Sequence, residues 1–192
     1  MIEKVANNLV EQMAGQNIID KEMEEYYIYA FISIAEKIIT VGSILIISLF
    51  SNTFISTLLF LVFFLSLRKR TGGFHLNSFG QCYLGTIAIY IAVLFINSSV
   101  TSYPYVLFGL LLLSICVIWI IGTVNHPNMH MDAMELSESK KAARIMVLLE
   151  GSVIFFFAFI GVDMHYIGYM SIGIIICATL MCVAKIIKQE VK

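Results

Sequence analysis

The chain has 192 residues, 59% of them apolar and 13% charged, with a formal net charge of −1 and a mean hydropathy of +0.90. A soluble core could not enclose so many apolar side chains in so short a chain, so residues 1–192 read as one integral membrane unit. The near-neutral charge balance comes without any basic, aromatic-interleaved stretch, and nucleic acid is not expected as a partner.

Residues 1–20 come first. Ile2, Val5, Ala6, Leu9, Val10 and Met13 recur at helical spacing, with Glu3, Lys4, Asn7, Asn8, Glu11 and Gln12 opposite them. This predicts an amphipathic interfacial helix that rests either on lipid or on the protein's own cytoplasmic face. It is not a cleavable signal peptide, because no early basic cluster leads into an apolar run with a small-residue cleavage site. Asp20 is placed to cap the first long helix, with Glu22 and Glu24 in its positive first turn.

Six apolar stretches follow between residues 26 and 187, over 26–50, 53–67, 79–96, 104–121, 142–162 and 165–187. Several are near the roughly 20 residues that cross a bilayer as a helix. The second is short and the first contains Glu36-Lys37, which leaves a tilted or re-entrant hairpin open for that pair. The fold class expected is all-α: a polytopic membrane bundle of about six transmembrane helices behind an N-terminal amphipathic helix.

Basic residues fall in alternate connections. None lies in 51–52, 97–103 or 161–165, whereas Arg68, Lys69 and Arg70 lie in one connection, Lys140, Lys141 and Arg144 in the next, and Lys185, Lys188 and Lys192 at the C-terminus. The positive-inside rule therefore places both termini and the segment 75–82 on the cytoplasmic side.

Groups able to do covalent chemistry gather in that segment. Gly72-Gly73-Phe74-His75 is followed seven residues later by Cys82, next to the basic run at 68–70. A His and a Cys at a membrane edge read as a base and its nucleophile. Ser78 followed by Gln81 fits a capping box, which puts Cys82 in the first turn of the third apolar helix, at the positive end of its dipole. In one straight helix the two residues would be about 10.5 Å apart along the axis, so the pair works only if the chain turns between them. The glycines allow that turn. Asn77, Ser78 and Gln81 are close enough in sequence to orient His75 or bind an oxyanion, and each also has a plainer role in capping or turning.

Other polar groups have simpler readings. Glu150 is an intramembrane carboxylate, a functional candidate by type, and pairing with another helix is the role expected of it. Cys116, Cys177 and Cys182 lie in apolar helices, where free Cys behaves as a small hydrophobe, so no disulfide is expected. His126, His130 and Asp132 approximate a metal-ligand spacing, but Pro127 interrupts the helix that would align the two His residues and no further ligand is near. No metal and no cofactor is expected. A small-molecule or metal transporter without peptidase activity is the alternative class, and the few polar residues in the spans and the lack of a visible repeat stand against it.

The frame Arg-x-x-x-Gly-Gly-x-His-x-x-x-x-x-x-Cys, running from Arg68 through Gly73 and His75 to Cys82 after a second apolar segment, resembles the accessory gene regulator protein B (AgrB) family of Gram-positive bacteria. Length, segment order and the Asn125-His126-Pro127-Asn128 stretch agree, while Met129 and His130 depart from the Lys and Pro usual in that family's loop. The resemblance implies a multi-pass cysteine endopeptidase of the bacterial cell membrane, linked to quorum sensing and virulence. Its substrate would be an AgrD-like propeptide, and a homodimer is compatible with it. His75 and Cys82 would be catalytic, with Arg68, Gly73, Ser78 and Gln81 binding substrate or supporting the site. Arg68 would meet either the propeptide's acidic tail or a lipid phosphate. The product would be a thiolactone or lactone.

Overall fold

In a computed structural model, the residues described are 2–16, 18–74, 78–125 and 131–189. Among them the chain forms seven α-helices and one 3-10 turn, and its only extended pairing is an isolated parallel bridge between Gly72 and Val124. The chain divides into two compact units, Met1–Ile47 and Ser48–Lys192.

In the first unit, α1 (Ile2–Gly15) is the expected amphipathic helix. Ala6, Val10 and Ala14, one turn apart, are buried, whereas Val5 and Leu9 on the adjoining flank are 60% and 43% exposed. The apolar face is therefore split, with its small-residue half covered and its larger side chains open. A 3-10 turn, Lys21–Met23, precedes α2 (Glu24–Phe50). Asp20 heads that turn through its backbone, the Met23 N–H donating to the Asp20 carbonyl at 2.9 Å, and its side chain makes no cap bond. The expectation that it caps the long helix is corrected, because the 3-10 turn stands between them.

The second unit contains α3 (Phe54–Thr71), α4 (Phe79–Thr101), α5 (Pro104–Ile121), α6 (Ala133–Phe159) and α7 (Met164–Ile186). Sequence chemistry sets most of their ends. Pro104 opens α5 where its missing N–H is not needed. Asp132 and Glu135 form a reciprocal capping box at the start of α6. The Asp163 carboxylate accepts the His165 N–H at 2.8 Å at the start of α7. Gly122, with φ +74°, closes α5, and Gly161, with φ +81°, follows α6.

All six apolar stretches lie on helices α2 to α7. Five of these helices are long and apolar enough to cross a membrane, and the protein is a membrane protein. The sixth, α3, has 18 residues but carries Arg68, Lys69 and Arg70 in its last turn.

α7 is the centre of the second unit. Ile167, Met170, Ile174, Cys177, Met181 and Ala184 are fully buried, and they pack with Phe63 and Leu67 of α3, Leu107, Leu111 and Ile118 of α5, and Val147 and Ile154 of α6. Lipid is as apolar as these side chains, so close fit holds such a bundle more than exclusion of water does. Gly173 shows this: a Cβ there would stand 3.3 Å from both the Phe60 carbonyl oxygen and the Phe64 nitrogen, so α3 and α7 cross backbone to backbone. Three polar side chains inside the bundle reach across helices, which offsets the cost of placing them in low polarity. Thr57 meets the Tyr90 hydroxyl at 2.7 Å, the Asn97 amide lies 3.3 Å from the His165 ring, and the Cys177 thiol donates to the Phe64 carbonyl at 3.4 Å.

Candidate active site

The C-terminal ends of α3, α5 and α7 and the first part of α6 come together at one end of the second unit. The Val124 N–H donates to the Thr71 carbonyl at 2.9 Å, and the hydroxyls of Thr123 and Ser139 both donate to the Arg70 carbonyl, at 2.9 and 3.0 Å. The Phe74 N–H donates to the Leu180 carbonyl of α7 at 3.3 Å. Lys140 packs against Gly122, and the Arg144 guanidinium donates to the Trp119 carbonyl at 2.9 Å while lying over the indole ring. Arg70, Lys140 and Arg144, far apart in the sequence, are thus brought to this end.

α3 runs through the basic run to Thr71 and stops where the backbone turns left-handed, with φ +62° at Gly72 and +119° at Gly73. The expected break in the helix is there, and both positions have a conformation that glycine adopts at little cost. Arg68 folds over the turn it precedes: its guanidinium donates to the Gly72 carbonyl and, at 2.5 Å, to the Phe74 carbonyl. A Cβ on Gly73 would collide with Nη1 of Arg68.

α4 begins after the turn with Ser78 as its N-cap. The Ser78 hydroxyl accepts the Gln81 N–H at 3.4 Å, one half of the expected capping box, and Gln81 itself is exposed. Cys82 lies in the first turn, half-buried, its N–H bonded to the Ser78 carbonyl at 3.0 Å and its carbonyl accepting the Thr86 hydroxyl at 2.8 Å. The half-buried Arg68 guanidinium is close enough to interact electrostatically with the thiols of both Cys82 and Cys177. Such an arrangement gives a thiol a helix N-terminus and a cation as company, which favours a nucleophile. His75 and Asn77 lie outside the described residues, as do His126, Pro127, Asn128, Met129 and His130. Among the described residues no cluster of His, Cys, Asp or Glu could hold a metal.

Three features of this end were not drawn from the sequence. Cys177 lies within reach of Arg68, the Leu180 carbonyl anchors Phe74, and the segment 123–125 runs beside 71–72. Asn125 also closes the loop it opens, its side-chain amide donating to the Met131 carbonyl at 3.1 Å while its oxygen accepts the Met131 N–H at 3.4 Å. Glu150 does pair across helices as expected: the Ser66 hydroxyl of α3 lies 2.5 Å from Oε1. Two shallow cavities lie away from Cys82. One of about 300 Å³ is at the opposite end, lined by Asn52, Thr53, His165 and Tyr166 among others, and one of about 270 Å³ is an apolar groove between α4, α5 and α7.

Comparison with known proteins bears on this site. The Accessory gene regulator B family matches residues 2–184. The "Putative AgrB-like protein 2" of Clostridium perfringens (strain 13 / Type A) is 31% identical over 99 residues. That stretch is 52% of this chain and 46% of the relative, so the chain spans about half the length of the curated relative it matches. No solved structure matches the chain. Since the family match takes in the turn at Gly72-Gly73, the Arg68 that holds it and the helix start bearing Cys82, the chain belongs to the accessory gene regulator B family.

Proposed function

We propose that this protein is a membrane cysteine endopeptidase of a quorum-sensing system. It removes the C-terminal tail from an AgrD-like propeptide at the cytoplasmic face of the cell membrane, and supports closure of the remaining peptide into a thiolactone or lactone. The observation that carries this reading is Cys82 itself, a half-buried thiol in the first turn of a capped helix with the Arg68 cation nearby, at the end where the basic residues collect.

In the reaction proposed, His75 takes the proton of the Cys82 thiol as sulfur attacks the carbonyl carbon of the scissile bond. The C–N bond breaks, the departing amine takes that proton from His75, and the tail leaves with a new N-terminus. The signal portion stays on Cys82 as a thioester, which conserves the acyl group's reactivity. A Cys or Ser side chain of the bound peptide then attacks the thioester carbonyl, its proton passing through His75 to the Cys82 sulfur as the ring closes. A site partly shielded from water favours ring closure over hydrolysis.

In proteoliposomes supplied with the propeptide, wild type should release the tail and Cys82→Ala should release none while still inserting. The Cys116→Ser/Cys177→Ser/Cys182→Ser protein should retain activity, and a chelator should change nothing. Tail release by Cys82→Ala would overturn the reading, and loss of release with the chelator would move the chemistry to a metal.

A further inference from the structure

A cavity of about 300 Å³ opens at the end of the second unit opposite Cys82, between the turn that leads into α3 and the first turn of α7. Its wall includes Asn52, Thr53, Phe54, Ile55, Ser56 and His165, so the first turn of α3 forms one side of it. The first bond into that helix runs from the Thr57 N–H to the Thr53 carbonyl at 2.8 Å, which leaves the N–H groups of Phe54, Ile55 and Ser56 without intrahelical acceptors. Thr53 makes no side-chain cap bond, because its hydroxyl meets those of Ser51 at 2.8 Å and Thr57 at 3.4 Å. The positive end of an 18-residue helix therefore lies at the cavity uncapped.

Two side chains add donors independently of the helix. Ser56 is 3% exposed and lies in the cavity wall, and its hydroxyl has no hydrogen-bond partner among the described residues. A hydroxyl so enclosed is costly unless it is bonded. The second is His165. The Asn97 amide nitrogen lies 3.3 Å from the His165 carbonyl, which can only accept, and 3.3 Å from ring Nδ1. It donates to both, so the neutral ring carries its proton on Nε2. Among the described residues no Asp, Glu, Lys or Arg lines the cavity, and the neighbouring Asp163 carboxylate is engaged by the His165 N–H at 2.8 Å.

A set of donors gathered at a helix N-terminus selects an anion. The oxygens of a phosphate point several ways, which suits donors spread over two helices better than the two coplanar oxygens of a carboxylate. Leu49 and Ile55, also in the wall, are both 59% exposed and give the cavity an apolar flank. We propose that this cavity binds a phosphate-class anion, the phosphodiester of a lipid headgroup or free phosphate, through the α3 N-terminus, the Ser56 hydroxyl and the His165 ring. The site stands apart from Cys82 and does not depend on the reaction proposed there.

The test is the thermal unfolding midpoint of the full chain in neutral detergent, because binding to the folded state raises it. The probes are dioctanoyl phosphatidylglycerol, inorganic phosphate, and dioctanoylglycerol, which has the same chains and no phosphate. A rise with phosphatidylglycerol alone identifies the lipid headgroup, and a rise with inorganic phosphate identifies the free anion; dioctanoylglycerol should change nothing. Asn52→Asp is the decisive variant. Asn52 is exposed and precedes the helix, so a carboxylate there suits α3 and should leave the midpoint without probe no lower, yet it repels the anion. The rise should disappear in Asn52→Asp. In Ser56→Ala, which removes a hydrogen bond to a charged group, the probe concentration giving half the rise should increase about tenfold. If Ser56→Ala folds poorly, Asn52→Asp still decides. The site is overturned if neither phosphate-bearing probe raises the midpoint, if dioctanoylglycerol raises it as much, or if the rise is the same in wild type and Asn52→Asp.

Discussion

Glu150 illustrates what a single residue can and cannot be asked to do. It is buried in α6 with Ser66 of α3 at 2.5 Å, and Oε2 has no partner among the described residues. Interhelical hydrogen bonds in membranes are modest, about 0.6 kcal/mol on average. Ser66→Ala should therefore lower resistance to unfolding by about 1 kcal/mol or less, read as a small shift in thermal unfolding in detergent, with tail release intact. Glu150→Gln keeps a hydrogen-bonding group there and should behave similarly. Abolished cleavage in a folded Glu150→Gln protein would instead make the carboxylate part of the chemistry. At this scale the sequence was informative wherever the signal is local. The Ser78 cap, the glycine break and the place of Cys82 in a first helical turn all depend on residues within a few positions of one another. The partner of Glu150 is 84 residues away in sequence, and the grip of Arg68 on two carbonyls depends on a turn geometry that spacing alone does not specify.

At the scale of elements, the contact between α3 and α7 dominates. Gly173 lets two backbones approach, Gly168 faces Asn97 and Thr101 of α4, and a Cβ at either position would meet atoms of the neighbouring helix. Overpacking a well-fitted interior costs about 1–3 kcal/mol, so Gly173→Val should lower the midpoint of thermal unfolding clearly, whereas Gly109→Val on the open side of α5 should not. Equal effects of the two would mean that α3 and α7 do not cross as described. Apolar runs located every one of these helices, but hydropathy treats a lipid-facing helix and a buried one alike. That α7 is the core helix was nevertheless written in its small residues, Gly168, Ser171, Gly173, Ala178 and Ala184, the composition that close helix packing in membranes selects. α6 begins earlier than its apolar run because its first turns, capped by Asp132, are polar and carry Lys140, Lys141 and Arg144.

For the whole molecule, the organising fact is the segregation of charge. In the second unit the turn containing Asn52, the connection at Ser102-Tyr103 and the corner at Gly161 contain no Lys or Arg, while Lys69, Arg70, Lys140, Lys141, Arg144 and Lys185 stand towards the end that bears Cys82. With the positive-inside rule this segregation supports the proposal that that end of the second unit faces the cytoplasm. A membrane-impermeant maleimide should label Cys82 in inverted vesicles and not in intact cells, and labelling from outside would reverse the topology. This segregation could be read from sequence because it needs only the order of spans. The meeting of 71–72 with 123–125, which brings the two loops of this end together, is a long-range pairing that no periodicity announces.

The central claim is that the Cys82 sulfur carries the peptide during the reaction, and the most direct measurement is the mass of that intermediate. Wild type and a Cys116→Ser/Cys177→Ser/Cys182→Ser protein are mixed with a propeptide whose ring-forming Cys or Ser is replaced by Ala, quenched in acid and analysed intact and after digestion. The account predicts an adduct equal to the propeptide less its tail, on the peptide containing Cys82 and released by neutral hydroxylamine. Tail release with no such adduct, or an adduct on another residue or resistant to hydroxylamine, would contradict it.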